Sequence, residues 1–465
     1  MQIKEIFKAF RKTLFGIAVS NRWYNLTVIV YFFAIKELTV NGKVKRLSLR
    51  NSNNRLTILV FYPRAFRKDL DCIVATDEFR VLIIQDHWLS VITGQFYPAE
   101  FLRYHFHLSP KYRTYLNPNS IDFKLKIQQE ELRKYLYNFL SKLYRFVGID
   151  CVISPHPRYV AAMEWGAVST KLGVPHILVS RDSQFASSPY LLNKMKLLFR
   201  EALPKYEGKH IIIQTELDKD VYIDTGYVNS ERISSLGCPR MDDFVKARNE
   251  KKRSSSNRRK KVVFLPLFWF SDFEKKDLSS YFTKLHLCFV EFAIHHPEID
   301  VVMKTKPKDY PSWRKNIFDE TMASNNIDLS KIPNLILGGD LDLHSLFTES
   351  DVVCGLNTSA VLEAAVIGLP VIIPYFKDLQ NRKYEERIFY RDAYDLFDIA
   401  ESAEDLESLI SKRLQNPVID RGIMERRKAY FEKHISSLKG DATKKYVALI
   451  KRVVLDQQSN RVSYN

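Results

Sequence analysis

The sequence predicts an α/β protein built from two doubly wound domains, and three observations carry that prediction. Short apolar runs alternate with helically spaced segments through both halves of the chain, the order expected of parallel sheets. A polar, serine-rich stretch at 248–261 separates the halves. At 465 residues the chain exceeds what one ordinary core organises.

From the N-terminus, Ile3, Ile6, Phe7, Phe10, Leu14 and Phe15 recur at helical spacing among Lys4, Lys8, Arg11 and Lys12. This is a basic amphipathic helix, suited either to an anionic membrane surface or to the protein's own core. The apolar stretch Trp23 to Ile35 is too short to span a bilayer. Leu56–Tyr62, Cys72–Ala75 and Val81–Gln85 read as short β-rich runs, and Ile121 to Phe146 carries helical spacing. Asp150–Ser154 is a buried strand ending in Pro155-His156-Pro157. A helix at about Val160–Leu172, the turn Gly173-Val174-Pro175 and the strand His176–Ser180 complete a βαβ unit. His210–Gln214 is another strand. After the basic run Arg248–Lys261, read as a solvated linker, come strands at Val262–Pro266, Asp300–Thr305 and Asn334–Leu337. Helices near Lys275–His295 and Leu343–Glu349 alternate with them. The segment Asp351 to Pro374 then reads as strand, polar turn, short helix and strand, and Ala403–Val454 as a charged helical tail. The expected division is an N-terminal domain over 1–247, a linker over 248–261, a C-terminal domain over 262–400 and a helical tail over 401–465 packing across both.

Hydrophobic residues at 46% and charged residues at 27% fit a soluble globular protein. The formal net charge of +17 points to anionic partners such as phosphates, nucleotides or a lipid surface. Cys72, Cys151, Cys238, Cys288 and Cys354 are odd in number and widely spaced, which argues against a disulfide framework and fits a reducing cytoplasm. No metal-ligand cluster, GxxxxGK[ST] loop or GxGxxG turn is present, so no metal and no bound cofactor is expected. Nucleic acid is the alternative anionic partner. The dispersed cations and the absence of recognisable binding modules speak against it, and filter binding would decide.

In doubly wound sheets ligands sit beyond the carboxyl ends of the strands. In the second half, Lys304 and Lys306 fall there, on one face by strand alternation, and could counter phosphate charge. Asn357, Thr358 and Ser359 offer polar groups beside a helix start; helix capping is the alternative role for them. Glu363 interrupts an apolar helix four residues after Ser359, a spacing that does not suit a capping box, and a ribose hydroxyl would partner it. In the first half, Ser154, His156, Arg158 and Arg181-Asp182-Ser183 occupy the equivalent place. His156 and Asp182 are the candidate general bases. Glu164, on an amphipathic helix, stays ambiguous.

These motifs have a familiar order. Gly237-Cys238-Pro239-Arg240-Met241-Asp242, Lys304-Thr305-Lys306-Pro307, the Asn357–Glu363 turn and helix, and Gly368-Leu369-Pro370-Val371 resemble GT-B glycosyltransferases of bacterial surface-polysaccharide synthesis. The nearer resemblance is to the capsule Kdo-transferase type and the CDP-glycerol glycerophosphotransferases, from about Asp150 to Phe376. Those families often carry Lys-Pro-His-Pro or Arg-x-His-Pro in place of Lys304-Thr305-Lys306-Pro307, and Gln-His-Gly in place of Arg181-Asp182-Ser183. The resemblance implies two Rossmann-like domains with a nucleotide-binding cleft between them, and metal-independent transfer of a sugar from a nucleotide donor to a glycan or lipid-linked glycan acceptor. Lys304, Lys306, Thr358 and Ser359 would hold the donor phosphate, Glu363 its ribose or base, and Asp182 would take the acceptor proton. A CDP-polyol phosphotransferase of the same fold is the alternative. The expected location is the inner face of the cytoplasmic membrane.

Overall fold

The computed structural model describes residues 13, 16–48, 54–97, 123–180, 188–201, 203, 205–247, 258–266, 278–307 and 309–462. Asp182, most of the expected N-terminal amphipathic helix and most of the expected linker lie outside them. Contacts divide the chain into two compact units. The first comprises 1–183, 193–243 and 439–465; the second comprises 184–192 and 244–438. The expected tail is thus divided: 401–438 belongs to the second unit and 439–465 to the first.

The first unit holds an eight-stranded sheet. Its strands are β1 (Lys36–Leu38), β2 (Val44–Arg46), β3 (Leu56–Phe61), β4 (Phe79–Ile84), β5 (Cys151–Ser154), β6 (His176–Val179), β7 (His210–Ile213) and β8 (Ile233–Ser235). The spatial order is β2-β1-β4-β3-β5-β6-β7-β8. β1 runs antiparallel to both its neighbours, and every other pairing is parallel.

Strands β3 to β5 are near-continuous apolar runs because helices cover both faces. Alternation sends Leu59, Phe61, Leu82, Ile84 and Val152 to one face, against Phe139 and Trp165. Ile58, Val60, Val81, Ile83 and Ile153 meet Tyr446 and Ile450 on the other. The expected β-run at Cys72–Ala75 is instead the end of a helix, Arg67–Ala75. Leu70, Ile73 and Val74 face the core at helical spacing, and tertiary burial overrides the strand preference of Ile and Val.

The C-terminal helix Ala442–Val462 enters this core through the motif at 237–242. Asp242 Oδ1 accepts from the Ala442 N–H (3.0 Å) and Oδ2 from the Thr443 N–H (2.7 Å), so a carboxylate 200 residues away caps the helix. Tyr446 Oη donates to the Gly237 carbonyl (3.0 Å). Arg240 is ion-paired with buried Asp69 at 3.0 Å. The motif is a fastening, and its conformation follows from these contacts.

The second unit holds six parallel strands: β9 (Lys260–Leu265), β10 (Ile299–Lys304), β11 (Leu335–Gly338), β12 (Val352–Gly355), β13 (Val371–Pro374) and β14 (Asp398–Ala400). Their order, β11-β10-β9-β12-β13-β14, is the doubly wound 3-2-1-4-5-6 arrangement. The sheet begins earlier than the expected linker allowed. Arg258 makes two bonds to Asp351 (2.9 and 3.0 Å), whose Oδ2 also accepts from the Lys261 N–H. Acids of the strand β12 entry thereby draw the last cations of the basic run into β9. Both units are Rossmann-like, the pair of domains that the GT-B resemblance implies.

Candidate functional site

Each parallel sheet has one place where strand order reverses, and there the loops leave in opposite directions and open a crevice. In the second unit it lies at the carboxyl ends of β9 and β12, with β10 on the other side of β9. Lys304 ends β10, and Asn357, Thr358 and Ser359 follow β12. They flank β9 from opposite sides, about 10 Å apart by two strand spacings.

Asn357 takes the left-handed conformation at φ 51°, which Asn visits more readily than most residues. Its Nδ2 donates to the Arg387 carbonyl (3.1 Å) and its Oδ1 accepts from the Phe389 N–H (2.8 Å). Asn357 therefore binds the loop after β13 to the turn after β12. Thr358 Oγ1 accepts from the Ala360 N–H (3.3 Å), and Ser359 opens the helix Ala360–Val366. That helix closes at Gly368, whose φ of 84° suits glycine, and returns the chain to β13.

Glu363 is buried on this helix but does not await a ribose for its partners. Ser359 Oγ donates to its Oε1 (3.2 Å), and His344 Nε2 lies 3.1 Å from Oε2. The carboxylate, an acceptor only, takes the imidazole N–H. His344 in turn stacks on Phe244, with ring centroids 4.1 Å apart. A donor ribose would therefore have to share a carboxylate already oriented by two residues. His344 went unnoticed in the sequence. It lies 19 residues from Glu363 on a helix that reads as ordinary, and only a helix start preceding the same crevice marks it.

The two lysines separate. Lys304 is half-buried, and its Nζ donates to the Thr305 and Gly339 carbonyls (2.8 and 2.9 Å). β10 ends at Lys304, so strand alternation no longer relates it to Lys306, which is exposed in the following turn. The Lys306 carbonyl accepts from the Asp309 and Tyr310 N–H groups, starting a helix. Between the lysines, Thr305 Oγ1 is buried without a hydrogen-bond partner. An orphaned hydroxyl is costly in a packed interior and marks a place that a ligand or water would satisfy.

The first unit reverses strand order between β3 and β5. Tyr62, left-handed at φ 51°, follows β3 and stacks on Tyr159 with centroids 4.2 Å apart. Burial pushes its hydroxyl up to about 12. His156 follows β5, buried, with Nδ1 accepting from the Arg158 N–H (3.0 Å). The lone pair of Nδ1 is thus engaged, and a neutral ring carries its proton on Nε2, where it is a donor. That geometry suits stabilising negative charge better than removing a proton. Ser154 is fully buried and bonded to His176 Nε2 (2.7 Å). Glu164 is the centre of a packed network, accepting from Tyr97 (2.9 Å), Gln129 (2.7 Å) and Arg133 (2.6 Å), which gives it a structural role.

Asp86 joins this crevice although the sequence did not single it out. It follows β4, the neighbour of β3, and opens the helix Asp86–Phe96. Its Oδ1 is buried without a hydrogen-bond partner. Burial raises its carboxyl above the usual range, with Arg64 and His87 pulling the other way. The rule that found His156, a polar group just past an apolar strand, would have found it.

A separate pocket of about 130 Å³, lined in part by Arg22, Tyr24, Gln95, Glu131 and Tyr135, shares no residue with either crevice. Among the described residues no three metal-ligating side chains converge.

No family model matches the sequence, and no curated protein matches it. Solved structures do. A UDP-GlcNAc 2-epimerase from Neisseria meningitidis bound to UDP-GlcNAc is 13% identical, with 85% of this chain and 99% of that chain covered and a TM-score of 0.46. The epimerase from Methanocaldococcus jannaschii is 11% identical over 86% and 99%, with a TM-score of 0.48. The wall teichoic acid polymerase TagF is 14% identical over 97% and 99%, also with a TM-score of 0.48. At this distance the likeness decides nothing about chemistry, and the fold stands on the chain's own strand order.

Proposed function

We propose that the chain is a GT-B glycosyltransferase that moves a sugar from a nucleotide donor, CMP-linked sugars included, to a bacterial surface polysaccharide or lipid-linked glycan. The observation that carries the reading is the composition of the second unit's crevice. A 3-2-1-4-5-6 sheet opens its switch point between a lysine, an orphaned buried hydroxyl and an oriented carboxylate. Cations counter phosphate charge and a fixed carboxylate accepts from ribose hydroxyls. The donor phosphate would meet Lys304, Lys306, Thr358 and Ser359, and the ribose or base would meet Glu363.

In the reaction, the acceptor hydroxyl oxygen forms a bond to the anomeric carbon of the sugar. The bond from that carbon to the donor phosphate breaks, and its electron pair leaves with the nucleotide. The hydroxyl proton passes to a carboxylate, Asp182 or Asp86, and the lysines stabilise the departing phosphate. His156, as a donor, would steady the acceptor side. The Tyr62–Tyr159 pair would offer an aromatic face to a glycan. Neither a bound metal nor a resident cofactor is invoked, and the enzyme would work at the inner face of the cytoplasmic membrane.

Thermal-shift measurement with CMP, CDP, UDP and GDP tests the donor half, because a ligand bound only by the folded state raises the melting temperature. One nucleotide is expected to raise it in the intact chain, and the rise should shrink in Glu363→Gln and Ser359→Ala. If no nucleotide shifts the intact chain, the reading falls. Product analysis with the responsive nucleotide then separates sugar transfer from polyol-phosphate transfer.

A further inference from the structure

The helix Tyr24–Ala34 is apolar on two sides, although only one of them enters the core. Its inner face carries Thr27, Val28, Tyr31 and Ala34, and Tyr31 packs against Trp88, Phe139 and Trp165. A helix apolar all round is normally buried all round. Here Trp23, Leu26, Ile29 and Phe33, spaced by three, three and four residues, form a stripe on the opposite side. Trp23 is 50% exposed, Ile29 51% and Phe33 65%. The stripe continues through Phe32 to exposed Phe146, whose rings lie 5.5 Å apart.

Cations border it. Lys36 Nζ donates to the Phe33 carbonyl (2.9 Å) at one end, and Lys142 Nζ to Asn25 Oδ1 (2.9 Å) alongside. Arg22 and Arg145 are exposed, and Glu131 pairs with Arg22 at 3.2 Å. Large apolar side chains that stay in water mark an interaction site. The surrounding charge selects its occupant. A second copy would bring the same cations against themselves across a two-fold interface. An anionic bilayer offers apolar depth for the stripe, an interfacial layer that suits Trp, and negative headgroups for the border.

We infer that the stripe Trp23-Leu26-Ile29-Phe33 is a docking surface for anionic lipid, inserting shallowly while Arg22, Lys36, Lys142 and Arg145 meet headgroups. No described helix is long and apolar enough to cross a membrane, so this contact lies in the interface. The inference deepens the membrane placement proposed above and rests on it.

Co-sedimentation of the full chain with vesicles of phosphatidylglycerol and phosphatidylcholine, and with phosphatidylcholine alone, is the test. The intact chain should sediment with the mixed vesicles and less as salt rises. A variant with Trp23→Ser, Ile29→Ser and Phe33→Ser should lose affinity by about tenfold or more, because the apolar term scales with buried area. Its melting temperature should hold, since these side chains are outside the core. A variant that sediments like the intact chain overturns the inference and moves attachment elsewhere, the N-terminal residues included. So does an intact chain that ignores both vesicles, or one that is dimeric in sedimentation equilibrium while the variant is monomeric. The nucleotide-induced melting shift, read on the same proteins, reports independently on the donor site.

Discussion

At the residue scale the second crevice depends on side chains whose first duty is to hold other parts of the protein. Glu363 has one oxygen on Ser359 and the other on His344, and His344 is itself braced by Phe244. Replacing His344 by Ala should leave Glu363 buried with one partner fewer, at a cost of about 1–3 kcal/mol in stability. It should also weaken nucleotide binding. His344→Gln, which can still donate, should recover most of the nucleotide response if the role is orientation. A variant pair with equal and undiminished nucleotide shifts would remove His344 from the site. Asn357 makes a second, separable claim. Asn357→Gly keeps the left-handed backbone but loses the bonds to Arg387 and Phe389, about 1 kcal/mol each. Asn357→Ala loses the same bonds and adds backbone strain of about 1 kcal/mol. Denaturant midpoints should therefore fall in the order Asn, Gly, Ala; equal midpoints for Asn and Ala would show that the turn does not need its tie.

At the element scale, legibility followed the range of the forces. The segment from β12 to β13 could be read from the sequence because each element is bounded by its own chemistry: apolar strands, a polar turn, a helix closed by Gly368. Cys72–Ala75 could not, because four apolar residues fit either period and only packing against Tyr446 and its neighbours selects a helix. The distant partner of Glu363, His344, and both partners of Asn357 were equally hidden, lying 19 to 32 residues away in the chain. The motif at 237–242 was legible as a motif and illegible as a device, since its meaning is a helix 200 residues later. Asp242 supplies charge-assisted bonds to two N–H groups at the start of the helix Ala442–Val462. Asp242→Ala should cost about 3 kcal/mol, two bonds to a charged group at the lower end of their range. Hydrogen exchange should accelerate first at the start of that helix. Unchanged protection over 442–450 would mean the cap is not what secures it.

At the scale of the whole molecule, buried neutral histidines in both units tie stability to pH. Burial lowers His176 to about 3 in the first unit, and His286 and His434 to about 4 in the second. His286 shows why the neutral form is kept. Its Nδ1–H donates to the Phe282 carbonyl (2.6 Å), and its Nε2 accepts from Trp313 Nε1–H (2.9 Å). A second proton would have to sit on Nε2, pointing at another N–H. In the unfolded chain the same ring takes up a proton near its ordinary pKa of about 6.5. Between those values the unfolded state binds more protons than the folded one, so stability rises with pH across that window and falls as the solution is acidified. Above about pH 7 the contribution is complete. From about pH 6.5 down to 4 each such histidine should withdraw up to about 1.4 kcal/mol per pH unit. Unfolding free energies at pH 7.5, 6, 5 and 4.5 should therefore fall with a slope that steepens below pH 6.5. In His286→Gln the protein should be less stable at every pH, yet its slope between pH 6 and 5 should be shallower by about one proton. A slope identical to that of the intact chain would show that His286 titrates alike in both states, and that its burial does not hold it neutral.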